Sequence, residues 1–414
     1  MNPFPIVWAT ILRNRLTVLL FVAVVALAVA LGIAISAQER AVRAGSARAA
    51  DRFDLIVAAP GSRNDILFSV VYLDPTAVEL LDPQVTAELL ANREAEIVAP
   101  IGFGDAIGDA PVVGTTAAFV THLSDGLAEG RVFGTIEEAV VGALAPFSIG
   151  DHLDVGHGHG PGGEMDADEA ADALETGEHA HDEDHPQITI VGRMQPTGTP
   201  WDRAVIVPIE YNWLAHGLGT GHGQADSHIG PPFDTASLPG VPAVVVKPVD
   251  VTAAYGLRGQ FRTATSTAFF PAEVLVELYA LLGDATAIMS ALTFAAQALV
   301  IAAILAGIVA ILDLQRQRFA VLRALGASRL FIFATVWTYV ASMIVTGALV
   351  GLVLGWGFAA ILSELLAQST GVAMRASIGA REILLVGALV GLGMLLATIP
   401  ALIIYRRPVV ESLR

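Results

Sequence analysis

Hydrophobic and polar positions are distributed unevenly along this chain. Four long stretches carry almost no charge, at about Leu16–Ala37, Ile288–Leu312, Leu330–Leu362 and Ile383–Tyr405. Each supplies the roughly 20 apolar residues that a helix needs to cross about 30 Å of hydrocarbon. The third exceeds that length, which predicts tilt or projection beyond the bilayer. The first is longer than the ~7–15-residue apolar run of a signal peptide, so it reads as an uncleaved anchor. Between the first two stretches, from 38 to 287, the pattern changes. Short runs punctuated by Gly, Pro and Asp predict strands: FDLIVAAPG, AEIVAPIGFG, APVVGTTAAFVTHL, ITIVGRM, RAVIVPI and PAVVVKP. Helices are predicted over Pro75–Asn92 (broken near Pro83), Thr135–Leu144 and Pro271–Leu282. The two patterns interleave, so this segment reads as a mixed α+β domain rather than a sandwich, with no repeat of fixed period.

The arginines orient these spans. Arg316, Arg318, Arg323 and Arg329 outweigh Asp313 between the second and third spans, and Arg406, Arg407 and Arg414 outweigh Glu411 after the fourth. Arg13 and Arg15 precede the first. With 1–15, 313–329 and 406–414 in the cytoplasm, 38–287 and 363–382 lie outside it. Arg40, Arg43, Arg48 and Arg52 oppose this assignment locally, and the later loops decide it. Composition agrees with a membrane protein: the chain is 54% hydrophobic and 15% charged, against about a quarter charged in soluble domains. A net charge of −17 excludes the basic footprint that nucleic acid requires. The chain has no cysteine, which excludes disulfides and thiolate metal sites.

The segment DLQRQRFAVLRALGASRLFIF, Asp313–Phe333, reads as a short amphipathic helix. Phe319, Leu322 and Leu325 share one face, flanked by Arg316, Arg318 and Arg323, and Gly326 allows a close turn into the next span. Such a helix suits either docking into a cytoplasmic partner or lying on lipid, and its physical chemistry does not choose between them.

A resemblance chooses. RQRFAVLRALGAS looks like the coupling segment of the FtsX/MacB-like ABC transporter permeases, and IPALIIYRRPVVESLR, Ile399–Arg414, looks like the ending of that family. GRVFGTIEEAVVGALAPFSIGDHL and ITIVGRMQPTGTPWDRAVIVPI resemble its periplasmic core. The resemblance implies a bacterial inner-membrane subunit with four transmembrane helices and a large α+β, MacB-like periplasmic domain. It implies a homodimer, or a heterodimer with a related permease, driven by a cytoplasmic ABC ATPase and acting on a periplasmic client or adaptor. On this reading Arg316, Arg318, Phe319, Leu322, Arg323, Leu325 and Gly326 couple the chain to that ATPase. ATP binds the partner, because the chain's only lysine, Lys247, stands in VVVKPV and no G-x-x-x-x-G-K-[ST] cradle can form. An FtsX-type regulator of a cell-wall hydrolase and a lipoprotein-releasing permease are the alternatives. No serine has a nucleophile-elbow context, and Asp202–Arg203 reads as a structural turn, so no catalytic activity is expected.

The stretch GHGHGPGGEMDADEAADALETGEHAHDEDH, 156–185, remains. It has too little apolar area to offset the entropy of ordering and reads as a solvated acidic strand connection. His157 and His159, then His179, His181 and His185, sit at spacings that let neighbouring imidazoles share an ion. With the carboxylates around them they suit weak binding of Zn²⁺ or a similar divalent ion. His216, His222 and His228 form a second histidine-containing, Gly-rich stretch.

Overall fold

Helices of unusual length come from the apolar stretches. The structure, a computed structural model, describes residues 2–74, 76–154, 187–223, 228–281 and 326–406, with isolated positions between 283 and 321. The chain divides into two compact units: Met1–Arg43, Leu282–Leu366 and Met374–Arg414 in one, Ala44–Leu281 and Ala367–Ala373 in the other.

In the first unit, α1 (Phe4–Arg13) occupies the amino-terminal stub and α2 follows from Arg15 to Ala50. The helix does not stop at Ala37, where the apolar run ends. The next residues, QERAVRAGSARAA, are mostly strong helix formers, and Glu39 pairs with Arg43 one turn on at 3.3 Å. With the helices of the second unit numbered α3 to α8, α9 is Arg329–Thr370 and α10 is Ala380–Arg406. Among the described residues, α2 and α9 are the two helices long and apolar enough to cross a membrane, and 382–398 form a shorter apolar helix. The expected second span lies outside the described residues.

Backbone approach packs α2 against α9. Val25, Val29 and Ile33 are buried with Tyr339, Val340, Met343, Ile344 and Ala348. A Cβ added at Gly347 would stand 2.7 Å from Val25 Cβ, one at Gly351 2.5 Å from the Ala26 carbonyl, and one at Gly355 2.7 Å from the Ala30 carbonyl. Three glycines at four-residue spacing therefore form the groove that admits the partner helix. At the start of α10, Glu382 is fully buried and accepts from Ser36 Oγ (2.7 Å), the Gly379 amide (2.8 Å) and Arg40 (2.6 Å).

The second unit is built on a ten-stranded mixed sheet. Its strands are β1 (Leu55–Ala58), β2 (Ala95–Ile107), β3 (Ala110–Thr115), β4 (Leu127–Gly130), β5 (Glu138–Val141), β6 (His152–Leu153), β7 (Ile188–Met194), β8 (Val205–Pro208), β9 (Ala243–Pro248) and β10 (Thr267–Phe269). They run in the order β10-β1-β9-β2-β3-β8-β5-β7-β4, with β6 paired to β7. The pairs β3–β8 and β5–β7 are parallel. Burial explains the strand sequences: LIVA of β1 and VIVP of β8 are buried throughout, whereas ITIVGRM of β7 alternates buried and half-buried positions.

Helices α3 (Arg63–Val71), α4 (Pro83–Leu90), α5 (Ala117–Ser124), α6 (Ile209–Ala215), α7 (Val251–Gln260) and α8 (Pro271–Leu281) complete the unit. The mixed α+β reading holds, with three local corrections. Thr135–Leu144 is not a helix but contains β5, where Val140 and Val141 are fully buried against β8. β-branched residues that pair on both sides of a sheet override a helical reading of the run. Among the described residues of Pro75–Asn92 only α4 is helical, starting at Pro83 with Asp82 accepting from the Gln84 amide at 2.9 Å. In APVVGTTAAFVTHL the strand ends at Thr115 and α5 begins, burying Phe119, Val120 and Leu123 at helical spacing.

Candidate functional site

The turn TGTPWDR, 197–203, is organised by the buried carboxylate of Asp202. It accepts from the Thr197 amide (2.8 Å), Thr197 Oγ1 (2.7 Å) and the Gly198 amide (2.7 Å). Trp201 is fully buried, donates from Nε1 to the Val70 carbonyl at 3.1 Å, and packs on Phe53 and Phe119. With both neighbours fixed, Arg203 donates to the carbonyls of Ala367 (3.3 Å) and Gln368. These carbonyls belong to the last turn of α9, where a cation complements the helix dipole.

The same turn receives the segment that follows α9. Gly371, at φ +73°, ends the helix with its amide on the Ala367 carbonyl at 2.9 Å. A side chain there would stand 3.0 Å from Pro200 Cα. The Ala373 amide donates to the Gly198 carbonyl at 2.9 Å, and Arg48 Nη1 to the Ala373 carbonyl at 3.0 Å. Residues 367–373 are thereby part of the second unit. This arrangement grips a helix end, and it presents no nucleophile or acid–base pair.

A second polar cluster surrounds α6. Glu210 is buried and accepts from the Gly230 amide at 2.5 Å, with His222 Nε2 at 3.2 Å. His222 is itself buried and lies against Phe233 and His228. Part of the second histidine stretch is thus an anchor: His222 and Gly230 are both tied to Glu210 of α6. On the other side, Asn212 Nδ2 donates to Asp105 Oδ2 at 3.4 Å. His216 Nδ1 meets the Asn212 carbonyl at 2.8 Å, and its Nε2 lies 3.7 Å from Asp105 Oδ1. Burial, with Asp105 and Asp154 adding negative charge, pushes the neighbouring Tyr211 hydroxyl up to about 12.

Of the residues the sequence singled out for coupling, Gly326 is described: at φ +92° it forms the turn before α9. Ser328 then caps the first turn of that helix, its Oγ accepting from the Phe331 amide at 3.3 Å. Arg316, Arg318, Phe319, Leu322, Arg323 and Leu325 lie outside the described residues, as do His157, His159, His179, His181 and His185. Among the described residues no group of three His, Cys, Asp or Glu side chains could hold a metal ion. The sequence reading missed the grip of Arg203 on α9. WDR marks a turn, but no local signal tells which distant carbonyls an arginine will reach.

Residues 289–409 match the FtsX-like permease C-terminal family. No curated protein matches the chain. Among solved structures, the periplasmic region of MacB from Actinobacillus actinomycetemcomitans is 9% identical, covering 56% of this chain and 95% of that one at a TM-score of 0.33. The extracellular domain of the noncanonic ABC-type transporter YknZ from Gram-positive bacteria is 8% identical, covering 52% and 98% at a TM-score of 0.28.

Proposed function

We propose that this chain is the membrane subunit of an ABC transporter of the FtsX/MacB type, with four transmembrane helices and both termini in the cytoplasm. One observation carries the reading: the FtsX-like permease match over 289–409 encloses the amphipathic, arginine-flanked segment 313–329. That segment docks on a separate cytoplasmic ATPase through Arg316, Arg318, Phe319, Leu322, Arg323, Leu325 and Gly326. ATP is hydrolysed there and not on this chain. The outer domain, MacB-like in fold, is displaced by the ATPase cycle and acts on a periplasmic client, with the permease working as a dimer with itself or a related chain.

The helices support mechanical coupling of this kind. α9 has 42 residues, about 63 Å at 1.5 Å per residue, twice the hydrocarbon thickness. Neither α2 nor α9 contains proline, so neither has the commonest cause of a kink. Arg203 and Arg48 secure the residues at the far end of α9. The histidines at 157, 159, 179, 181 and 185 belong to the same proposal as a weak divalent-cation segment.

The test is co-purification. The chain should bring down an ATPase and hydrolyse no ATP alone, and Leu322→Asp with Leu325→Asp should release the ATPase while membrane insertion persists. Retention of the ATPase by the double variant, or nucleotide binding by the isolated chain, would overturn the coupling assignment.

A further inference from the structure

Three arginines converge on one cleft of the second unit, and carboxylates account for two of them. The cleft has a volume of about 580 Å³ and is open to solvent. Arg63 at the start of α3, Arg258 in the last turn of α7 and Arg262 just beyond that helix line it, and α8 forms the remaining wall. Glu277 of α8 accepts from Arg63 Nη2 at 2.7 Å, and Glu273 accepts from Arg258 Nη1. Arg262 is exposed and has no hydrogen-bond or ion-pair partner among the described residues. The lining therefore carries one surplus positive charge.

A surplus charge on a surface is ordinary, whereas a set of donors held in place is not. The Arg258 guanidinium carbon lies 5.0 Å from the centre of the Phe270 ring and 5.4 Å from that of Tyr255, within cation–π range of both. Arg63 is held by its ion pair with α8. Each of these two arginines spends one N–H on its carboxylate, and a guanidinium has five. Each is also the more buried member of its pair: 34% exposed against 56% for Arg63 and Glu277, 25% against 41% for Arg258 and Glu273. Water screens the carboxylates better than the guanidiniums, which leaves the cleft with positive character.

We propose that this cleft binds a phosphodiester headgroup. Guanidiniums from α3, from α7 and from the loop after α7 suit a tetrahedral oxyanion, whose oxygens point in several directions. A planar carboxylate is satisfied by a single fork. One surplus charge matches a monoanion better than a phosphate monoester, which approaches two negative charges at neutral pH. The volume falls within the roughly 300–1,000 Å³ of small-molecule sites. Ala272 and Val276, both exposed on the α8 wall, give the carbons beside the phosphate an apolar surface.

This inference does not depend on the permease reading. A phosphodiester can be free or part of a phospholipid, and two probes separate the sources: glycerophosphoglycerol in solution and dihexanoyl phosphatidylglycerol. Each is added to the full chain in neutral detergent, and arginine modification by phenylglyoxal is mapped by mass spectrometry. Modification of Arg262 should slow at least fivefold, while that of Arg131, exposed and outside the cleft, is unchanged. Protection by the lipid alone assigns a phospholipid headgroup, and equal protection by both probes assigns a free phosphodiester. In Arg262→Gln, an exposed position whose substitution disturbs no packing, protection of Arg63 should require at least tenfold more probe. No protection by either probe, equal protection of Arg131, equal protection by acetate, or undiminished protection of Arg63 in Arg262→Gln would overturn the assignment.

Discussion

The internal contacts of the two units are of opposite kinds. In the membrane-type unit the decisive contacts are made by absent side chains: Gly347, Gly351 and Gly355 let the backbone of α2 lie against α9. In the second unit they are made by side chains reaching for backbone. Asp202 gathers two amides and a hydroxyl, Glu210 takes the Gly230 amide, and Arg193 donates to the carbonyls of Gly142, Ala145 and Phe147. Solvent explains the difference. Lipid offers no hydrophobic drive to bring apolar helices together, so close van der Waals fit must do it. An irregular loop in water has backbone groups to satisfy, and a buried carboxylate or guanidinium satisfies several at once.

Overfilling the glycine groove should break the first unit most severely. Gly351→Leu places a branched side chain where a single carbon already overlaps Ala26, and should cost at least about 3 kcal/mol. Thermal denaturation in detergent should show loss of the helical unit, while protease resistance of the second unit persists. If both units fail together, their stabilities are not separable. Asp202→Ala comes next, because it leaves buried amides unpaired: about 2–3 kcal/mol, visible as a lower denaturation midpoint. Arg203→Ala should cost about 1 kcal/mol and speed amide exchange over 367–371. Lys247→Ala removes an exposed pair with Glu96 (2.7 Å) and should change stability by less than about 0.5 kcal/mol. A larger effect would mean that the second unit also relies on its surface charges.

One acid-sensitive contact sharpens the contrast. The hydrogen bond from Arg131 holds the Glu138 carboxyl below its ordinary range. A lowered folded pKa favours folding above the unfolded value of about 4.3 and is lost as pH falls through the lowered one. Glu138→Gln should therefore flatten the acid limb of the second unit's stability profile and leave the first unit's profile unchanged.

Long apolar runs were legible in the sequence because a single apolar segment satisfies its own backbone groups away from water only as a helix. Strands such as β7 and β9 were legible from β-branched runs. The segment 135–144 was not: IEEAVV reads as readily helical as extended, and only the neighbours β7 and β8 settle it. The Asp105–His216 contact was likewise hidden, because its members are far apart in the chain.

The glycine groove also constrains how this chain can change over generations. Each glycine weakens its own helix by about 1 kcal/mol relative to alanine, so mutation to alanine would be rewarded wherever space allowed. At 347, 351 and 355 there is no space. Leu349, Val350, Val353 and Leu354, between them on the exposed side, need only remain apolar. Homologous sequences should therefore show fixed glycines every fourth position, separated by freely exchanging aliphatic residues, and any relative that loses one glycine should carry a smaller residue at 25, 29 or 33.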